Sequence, residues 1–319
     1  MFDSFTGLTP AYPTAHAVWL GALIVKWGSY LVLLLAAVAI WRALLHWRRW
    51  SGWRRAAVAV VLAGCTLFSY MRFVEPRWIT VHQTALHLGI PARVALVSDL
   101  HLGVFKGPDY LQRVVARLNE LDVDAVLVAG DHTYLPDRPL VELLAPWKGS
   151  RHPVYSVPGN HDEQHPGPPL AQALRLALPA NGVTPVEFTH VDLGPFVLVG
   201  LGDRFVGQDG SQPVKAVPLG KPIVVLFHNP ESVRNLAPGS ASLALAGHTH
   251  GGQIRIEWLL QAYVPGLLEY DRGFYPAQPP APNGKTRWPV PLFITTGLGE
   301  SHLPLRLAIP PVIDVLDLR

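Results

Sequence analysis

The sequence predicts an α/β sandwich with two sheets inside, preceded by an N-terminal transmembrane helical hairpin. Three observations carry this. Two long apolar runs fall within the first 75 of the 319 residues. From Pro76 onward, short apolar runs first alternate with amphipathic segments and then succeed one another, the pattern of sheets covered by helices. Polar islands rich in Asp, His, Asn and Gly follow directly after several of those runs.

The hairpin comes first. Residues 18–41 are mostly apolar, and a second run covers 56–71, which Phe73 and Val74 extend to 74 if Arg72 snorkels. About 20 residues cross a ~30 Å hydrocarbon core, so helices over 18–41 and 56–74 form an anchor within residues 1–75, and 76–319 form one domain. Between the runs lie Arg42, Arg48, Arg49, Arg54 and Arg55, interleaved with Trp47, Trp50 and Trp53. Indole and guanidinium both favour the headgroup region, and seven of the ten tryptophans precede residue 80. Two buried helices of a soluble fold are the alternative. If both runs span, the arginine-rich loop lies in the cytoplasm and the rest of the chain on the extracytoplasmic side, as expected of a bacterial inner-membrane protein.

The charge distribution follows the same boundary. Residues 1–75 carry seven basic side chains against Asp3 and Glu75, leaving 19 basic and 21 acidic residues from totals of 26 and 23. The high pI belongs to the anchor, so no nucleic-acid partner is expected; the expected partner is the lipid bilayer. Cys65 is the sole cysteine, which excludes an intrachain disulfide and a thiolate metal cluster.

Along the domain, strands are expected at 93–98, 125–129, 154–157, 196–201, 223–227, 243–246, 292–296 and 312–318. Helices are expected at 110–121, with Leu111, Val114, Val115 and Leu118 on one face, and at 140–144 and 170–178. Residues 253–291, rich in Pro, Gly and aromatics, read as a lid-like insertion. Within it, 258–270 is apolar enough to dip into a bilayer, to cover acyl chains, or to pack as a folded lid.

The islands are Asp99-Leu-His101, Gly130-Asp131, Gly159-Asn160-His161-Asp162, His228-Asn229 and Gly247-His248-Thr-His250-Gly-Gly252. Side chains converge at the carboxyl ends of strands in α/β sheets, where glycines let the chain turn sharply. Asp99 and His101 can face one ion, and Asp131 has two oxygens with which to bridge two cations. Asn160 offers a neutral oxygen, and His228, His248 and His250 offer nitrogens. Mixed O/N ligation without sulfur suits two divalent ions of Mn, Fe or Zn. Such a pair lowers the pKa of bound water towards ~7 and neutralises phosphoryl oxygens, and His161 beside Asn160 is placed to donate to the transition state or leaving group. His132 is expected at the surface, His165 and His302 in solvent, and Asp203 either in the site or in a turn.

Collected in this order over residues 93–318, the islands resemble the calcineurin-like metallophosphoesterase superfamily. Gly-His-Thr-His-Gly-Gly-Gln253, Gly297-Leu-Gly299 and Pro304-Leu-Arg306 resemble its membrane-associated phosphodiesterase branch, which includes proteins similar to UDP-2,3-diacylglucosamine hydrolases. The resemblance implies a four-layer α/β/β/α sandwich. It implies a first metal on Asp99, His101, Asp131 and His250, a second on Asp131, Asn160, His228 and His248, and His161 and Asp131 as catalytic residues. Many relatives carry an acid three residues after the bridging aspartate to orient the catalytic histidine. Here Tyr134 stands there, so Asp162 or another group must serve. The expected activity is hydrolysis of a phosphodiester or pyrophosphate in a lipid or lipid-linked substrate. A nucleotide-linked lipid precursor should face the cytoplasm, so an extracytoplasmic domain favours envelope phospholipid. A broad-specificity phosphatase or nucleotide phosphodiesterase, and a non-catalytic metal-binding membrane protein, are the competing readings.

Overall fold

The computed structural model describes residues 13–163, 170–218, 220–257, 270–278 and 288–319. Among the described residues the strands are β1 (Thr80–Ala85), β2 (Arg93–Val97), β3 (Leu102–Gly103), β4 (Ala125–Ala129), β5 (Thr133–Tyr134), β6 (Val154–Val157), β7 (Val183–Pro185), β8 (His190–Asp192), β9 (Val197–Gly200), β10 (Ile223–Leu226), β11 (Leu243–Ala246), β12 (Gly273–Tyr275), β13 (Leu292–Ile294) and β14 (Val312–Asp317). One sheet runs β1-β14-β2-β4-β6-β7 and the other β12-β13-β11-β10-β9-β8. Both are mainly parallel, with β14 antiparallel to β2 and with β8 and β12 as antiparallel edges.

Alternation along the strands assigns the layers. In β2, Val94 and Leu96 point between the sheets and meet Leu198, Leu226, Leu243 and Leu245. Ala95 and Val97 point outward under the helices Pro108–Leu118 and Ala171–Ala180, against Leu111, Val114, Leu118 and Leu174. On the far side, Val199, Val225 and Ala246 are covered by Val214, Val233 and Trp288. The result is α/β/β/α. Among the described residues its fourth layer is thin, consisting of the short turns Gln212–Lys215 and Pro230–Asn235. Each fully buried Leu or Val in these layers contributes roughly 1.5–3 kcal/mol, so the two sheets are held face to face without polar help.

The N-terminal region gives the expected pair of apolar helical segments as two candidate spans, Ala17–Arg49 and Gly52–Arg77, the first of which contains a turn. The first apolar run is two helices, Pro13–Gly28 and Leu31–His46, broken at Ser29 and Tyr30. The second is Gly52–Ser69, continued by a π-turn over Tyr70–Val74. Within this segment Leu31–His46 pairs with Gly52–Ser69, and Ala22 of Pro13–Gly28 lies against the domain. The break has local causes. Ser29 Oγ donates to Lys26 O at 2.7 Å and accepts from buried Arg72 Nε at 3.1 Å, while Tyr30 packs on Phe73. Ala22 is buried among Val104, Tyr134 and Leu135.

Of the insertion, 258–269 and 279–287 lie outside the described residues, and with them most of the 258–270 stretch. Its described parts pack on the fold: Gly273–Tyr275 is an edge strand beside β13, and Trp288 lies under Tyr270 and Tyr275.

Candidate metal centre

The two sheets bring their carboxyl ends to one edge. The first supplies Asp99 and His101 after β2, Asp131 after β4, and Asn160 and His161 after β6. The second supplies His228 after β10, and His248 and His250 after β11. Asp99, His101, Asp131, His248 and His250 all have φ between 47° and 72°. Left-handed backbone is unfavourable for a residue with a Cβ, though least so for Asp, Asn and His, so each strand ends in a strained kink that turns the next side chain inward. Glycine is required where the loops touch. A Cβ on Gly159 would overlap the Asp131 carboxylate, and one on Gly247 would overlap Ser98 and approach Asp99 Oδ2.

Two clusters result. In the first, His101 Nε2 and His250 Nε2 are 3.1 Å apart, with Asp99 Oδ1 at 3.7 and 3.4 Å from them. In the second, His228 Nε2 lies 3.1 Å from His248 Nδ1 and 3.1 Å from Asn160 Oδ1. Asp131 Oδ2 joins them, 3.5 Å from His101 Nε2 and 3.2 Å from His228 Nε2. The other oxygen, Oδ1, accepts from His161 N at 2.9 Å. One oxygen of Asp131 thus faces both clusters, and the other is taken by a backbone hydrogen bond.

Hydrogen bonds behind the site fix the ligating atoms. His228 Nδ1 donates to Ala129 O at 2.8 Å and His250 Nδ1 to Gly299 O at 3.2 Å, which aims both Nε2 atoms at the centre. Asp99 Oδ2 accepts from His248 N at 3.0 Å, while Oδ1 is buried without a partner. An orphaned carboxylate oxygen beside two facing imidazole nitrogens fits a cation there. Burial alone would raise the Asp99 and Asp131 carboxyls. Instead, His250 and His101 around Asp99, and His228 and His161 around Asp131, hold both below the usual carboxylate range. Desolvation depresses His248 to about 4, whereas at His228 it is outweighed by Asp131, which raises that imidazole to about 10.

Asp162 does not orient His161. Its carboxylate accepts from the backbone N of His132, Thr133 and Gly159 at 3.1, 3.0 and 3.0 Å, tying the Asp131 loop to the Asn160 loop. The His161 ring is instead enclosed by rings: Tyr134 edge-on at 5.0 Å, His101 at 5.0 Å and His302 at 5.9 Å. Desolvation lowers His161 to about 4, so the imidazole is neutral at pH 7. His302 is exposed, as expected, yet stands at the mouth of the site. His132 is fully buried rather than at the surface, because the kink at Asp131 turns it under the sheet, where Nε2 lies 2.5 Å from Ser156 Oγ. Asp203 takes the turn role: Oδ1 accepts from Phe205 N at 2.8 Å. His165 lies outside the described residues. Sequence reasoning missed Phe205, whose ring is 5.8 Å from His248, and marked Arg306 only through the Pro304-Leu-Arg306 resemblance, not through the support it gives.

Comparison with known proteins agrees with this geometry. The calcineurin-like phosphoesterase family matches residues 92–252, half of the chain. A Helicobacter pylori protein described as an uncharacterized metallophosphoesterase is 28% identical over 239 residues, 71% of this chain and 59% of that one. Escherichia coli phosphodiesterase YaeI is 29% identical over 66% of this chain and 80% of its own length. A Danio rerio transmembrane protein with metallophosphoesterase domain is 25% identical over 68% and 50%. The chain thus spans 59% of the length of the Helicobacter relative. The apolar helices and the transmembrane relatives together indicate a membrane protein.

Proposed function

Since this chain belongs to the calcineurin-like phosphoesterase family of divalent-metal hydrolases, we propose that it is a membrane-anchored phosphodiesterase with two metal ions. Its substrate is then a phosphodiester or pyrophosphate bond in a lipid or lipid-linked molecule at the extracytoplasmic face of a bacterial inner membrane. The observation that carries this reading is the position of Asp131 Oδ2 between the two histidine sets, within 3.5 Å of each. Two divalent ions, when bound, supply a nucleophilic water at neutral pH and neutralise phosphoryl charge.

The chain's own groups do the rest. Asp99, His101, Asp131 and His250 would hold one ion, and Asp131, Asn160, His228 and His248 the other. Asn160 adds an oxygen without charge, which keeps the site attractive to an anionic phosphate. His161, neutral at pH 7, serves as a hydrogen-bond donor to a phosphoryl oxygen rather than as a charged acid. The lipid substrate is supported by the rim: Phe205 beside His248, and Leu303 next to His302, are 66% and 46% exposed. The name of the Escherichia coli relative supports diester chemistry.

The test is Asp131→Asn in full-length protein loaded with Mn, assayed on bis(p-nitrophenyl) phosphate and on a panel of phospholipids. Outer-sphere changes around metals already cost ~10–100-fold, so loss of the shared ligand should cost more than ~100-fold and halve the bound metal. Wild-type protein that binds metal but hydrolyses neither class would leave a non-catalytic metal-binding protein. Activity confined to nucleotides or monoesters would favour the soluble-substrate reading.

A further inference from the structure

The helix Pro13–Gly28 has two different faces. Inward, Ala22 is buried, and Trp19 and Leu23 pack beside it on Val104, Phe105, Tyr134 and Leu135. Outward, Leu20, Ile24 and Trp27 are 57%, 63% and 65% exposed. Tyr134 is the link to the chemistry. Its ring stacks on Phe105 at 5.8 Å on the helix side, and meets His161 at 5.0 Å and His101 at 5.7 Å, both edge to face, on the other. Among the described residues no side chain hydrogen-bonds the His161 ring, which is enclosed by the Tyr134, His101 and His302 rings and lies beside the Asp131 carboxylate.

The exposed face continues a surface already apolar. At the domain end of the hairpin, Trp27, Tyr30 and Trp78 are exposed. At the far end, about 24 Å along the Leu31–His46 helix, Trp47 and Trp53 are exposed, and Trp41 is exposed about 15 Å along it. Two aromatic belts separated by roughly one hydrocarbon thickness mark the two interfaces of a bilayer. The first helix ends at the domain-side belt, with Trp27 in its last turn.

We propose that helix Pro13–Gly28 is the membrane-facing wall of the active site: its outer face lies in the bilayer interface, and its inner face presses Tyr134 against His161 and His101. Tyr134 is thus a positioning residue, and the anchor is part of the catalytic apparatus rather than a tether. This rests on the phosphodiesterase reading only for its activity arm.

The placement is tested with nitroxide labels at L20C and I24C, each in a Cys65→Ala background, on full-length protein in phosphatidylethanolamine/phosphatidylglycerol nanodiscs. Both labels should be relaxed more by oxygen than by an aqueous nickel chelate. Preference for the chelate, or spin–spin broadening from a second copy, overturns the bilayer as the occupant. The coupling is tested with Tyr134→Leu, Tyr134→Phe and Ala22→Trp on bis(p-nitrophenyl) phosphate with Mn, together with the Mn dissociation constant by equilibrium dialysis. Misplacement of a catalytic group costs up to ~100-fold, so Y134L and A22W should each lower kcat ~10-fold or more with KM within about twofold. Y134F should keep both, because the ring edge remains. The double variant should be no worse than Y134L, since both break one contact chain. If A22W fails to fold, Ala22→Leu carries the same cycle. Independent, multiplying effects, or a Y134F as impaired as Y134L, overturn the proposal. Weaker Mn binding in Y134L, by threefold or more through His101, is read without turnover. If wild-type protein is inactive the catalytic reading falls, while the label and dialysis arms still decide this one.

Discussion

Five side chains of the metal centre occupy backbone that most residues avoid, and the choice of Asp and His there solves two problems together. These residue types ligate cations and also tolerate φ above zero, so the kinks need no extra glycine at the ligating position. The residue types and spacing of these kinks were readable in the sequence. What it did not reveal is how each neighbour is used: His132 follows a ligand yet is buried, and Asp162 sits beside His161 yet binds backbone. Buried polar groups away from the site also carry consequences. Asp314 in β14 is 5% exposed, and burial pushes its carboxyl up to about 7 despite a hydrogen bond from Thr295. An unfolded carboxyl titrates near ~4, so between pH ~4 and ~7 the folded chain binds the extra proton. The contribution of Asp314 to stability is therefore full at the acid end, declines as pH rises through this window, and levels off above it. Asp314→Asn should flatten the fall of melting temperature between pH 4 and 8, as measured by scanning fluorimetry in detergent. An unchanged slope would show that Asp314 is ionised in the fold.

Among the elements, strand ends depend on a loop that no periodicity marks. Residues 297–300 press against Asp99, and Arg306 holds them. Its fully buried guanidinium donates to Gly299 O at 2.7 Å, Ile309 O at 2.8 Å, Thr296 O at 3.0 Å and Gly297 O at 3.3 Å. Lys106 Nζ donates to Leu298 O at 2.7 Å and pairs with Glu300 at 2.8 Å. Removing one partner of such a buried set leaves carbonyls and a carboxylate unsatisfied, at about 3–5 kcal/mol. Arg306→Leu should lower thermal stability by that order and weaken Mn binding at the Asp99 cluster, whereas a surface substitution such as Arg117→Leu should change neither. The central strands β4 and β11 were legible because they are buried on both faces and read as unbroken apolar runs over 125–129 and 243–246, and β6 coincides with 154–157 although Ser156 interrupts its apolar run. The edges were not. β1, Thr80-Val-His-Gln-Thr-Ala85, is polar and half-exposed, and becomes a strand only because β14 offers it a parallel partner. The short β3, β5, β7, β8 and β12 are likewise made by pairing rather than by pattern.

For the whole molecule, the hairpin stands with its domain-side root fixed to the catalytic fold and its arginine turn at the opposite end. Arg306 N donates to Met71 O at 3.0 Å, and Ile309 N donates to Glu75 Oε1 at 2.7 Å, so the root and the loop behind Asp99 are one structure. If the hairpin spans, the loop over 47–51 should be protected from protease in spheroplasts and cleaved in inverted vesicles, and the domain should show the reverse. Cleavage of the domain in inverted vesicles would move the substrate to the cytoplasmic leaflet. The sequence by itself determined the family, the central strands, the Asp, His and Asn residues that the strand ends gather, and the presence of two apolar helices. Each of these is written in local composition and short spacing. Only the tertiary structure decided that the first apolar run turns at Ser29 and Tyr30, that a single oxygen of Asp131 faces both clusters, and that Tyr134 packs edge-on against His161. Those outcomes depend on contacts between residues tens to hundreds of positions apart, which local pattern does not encode.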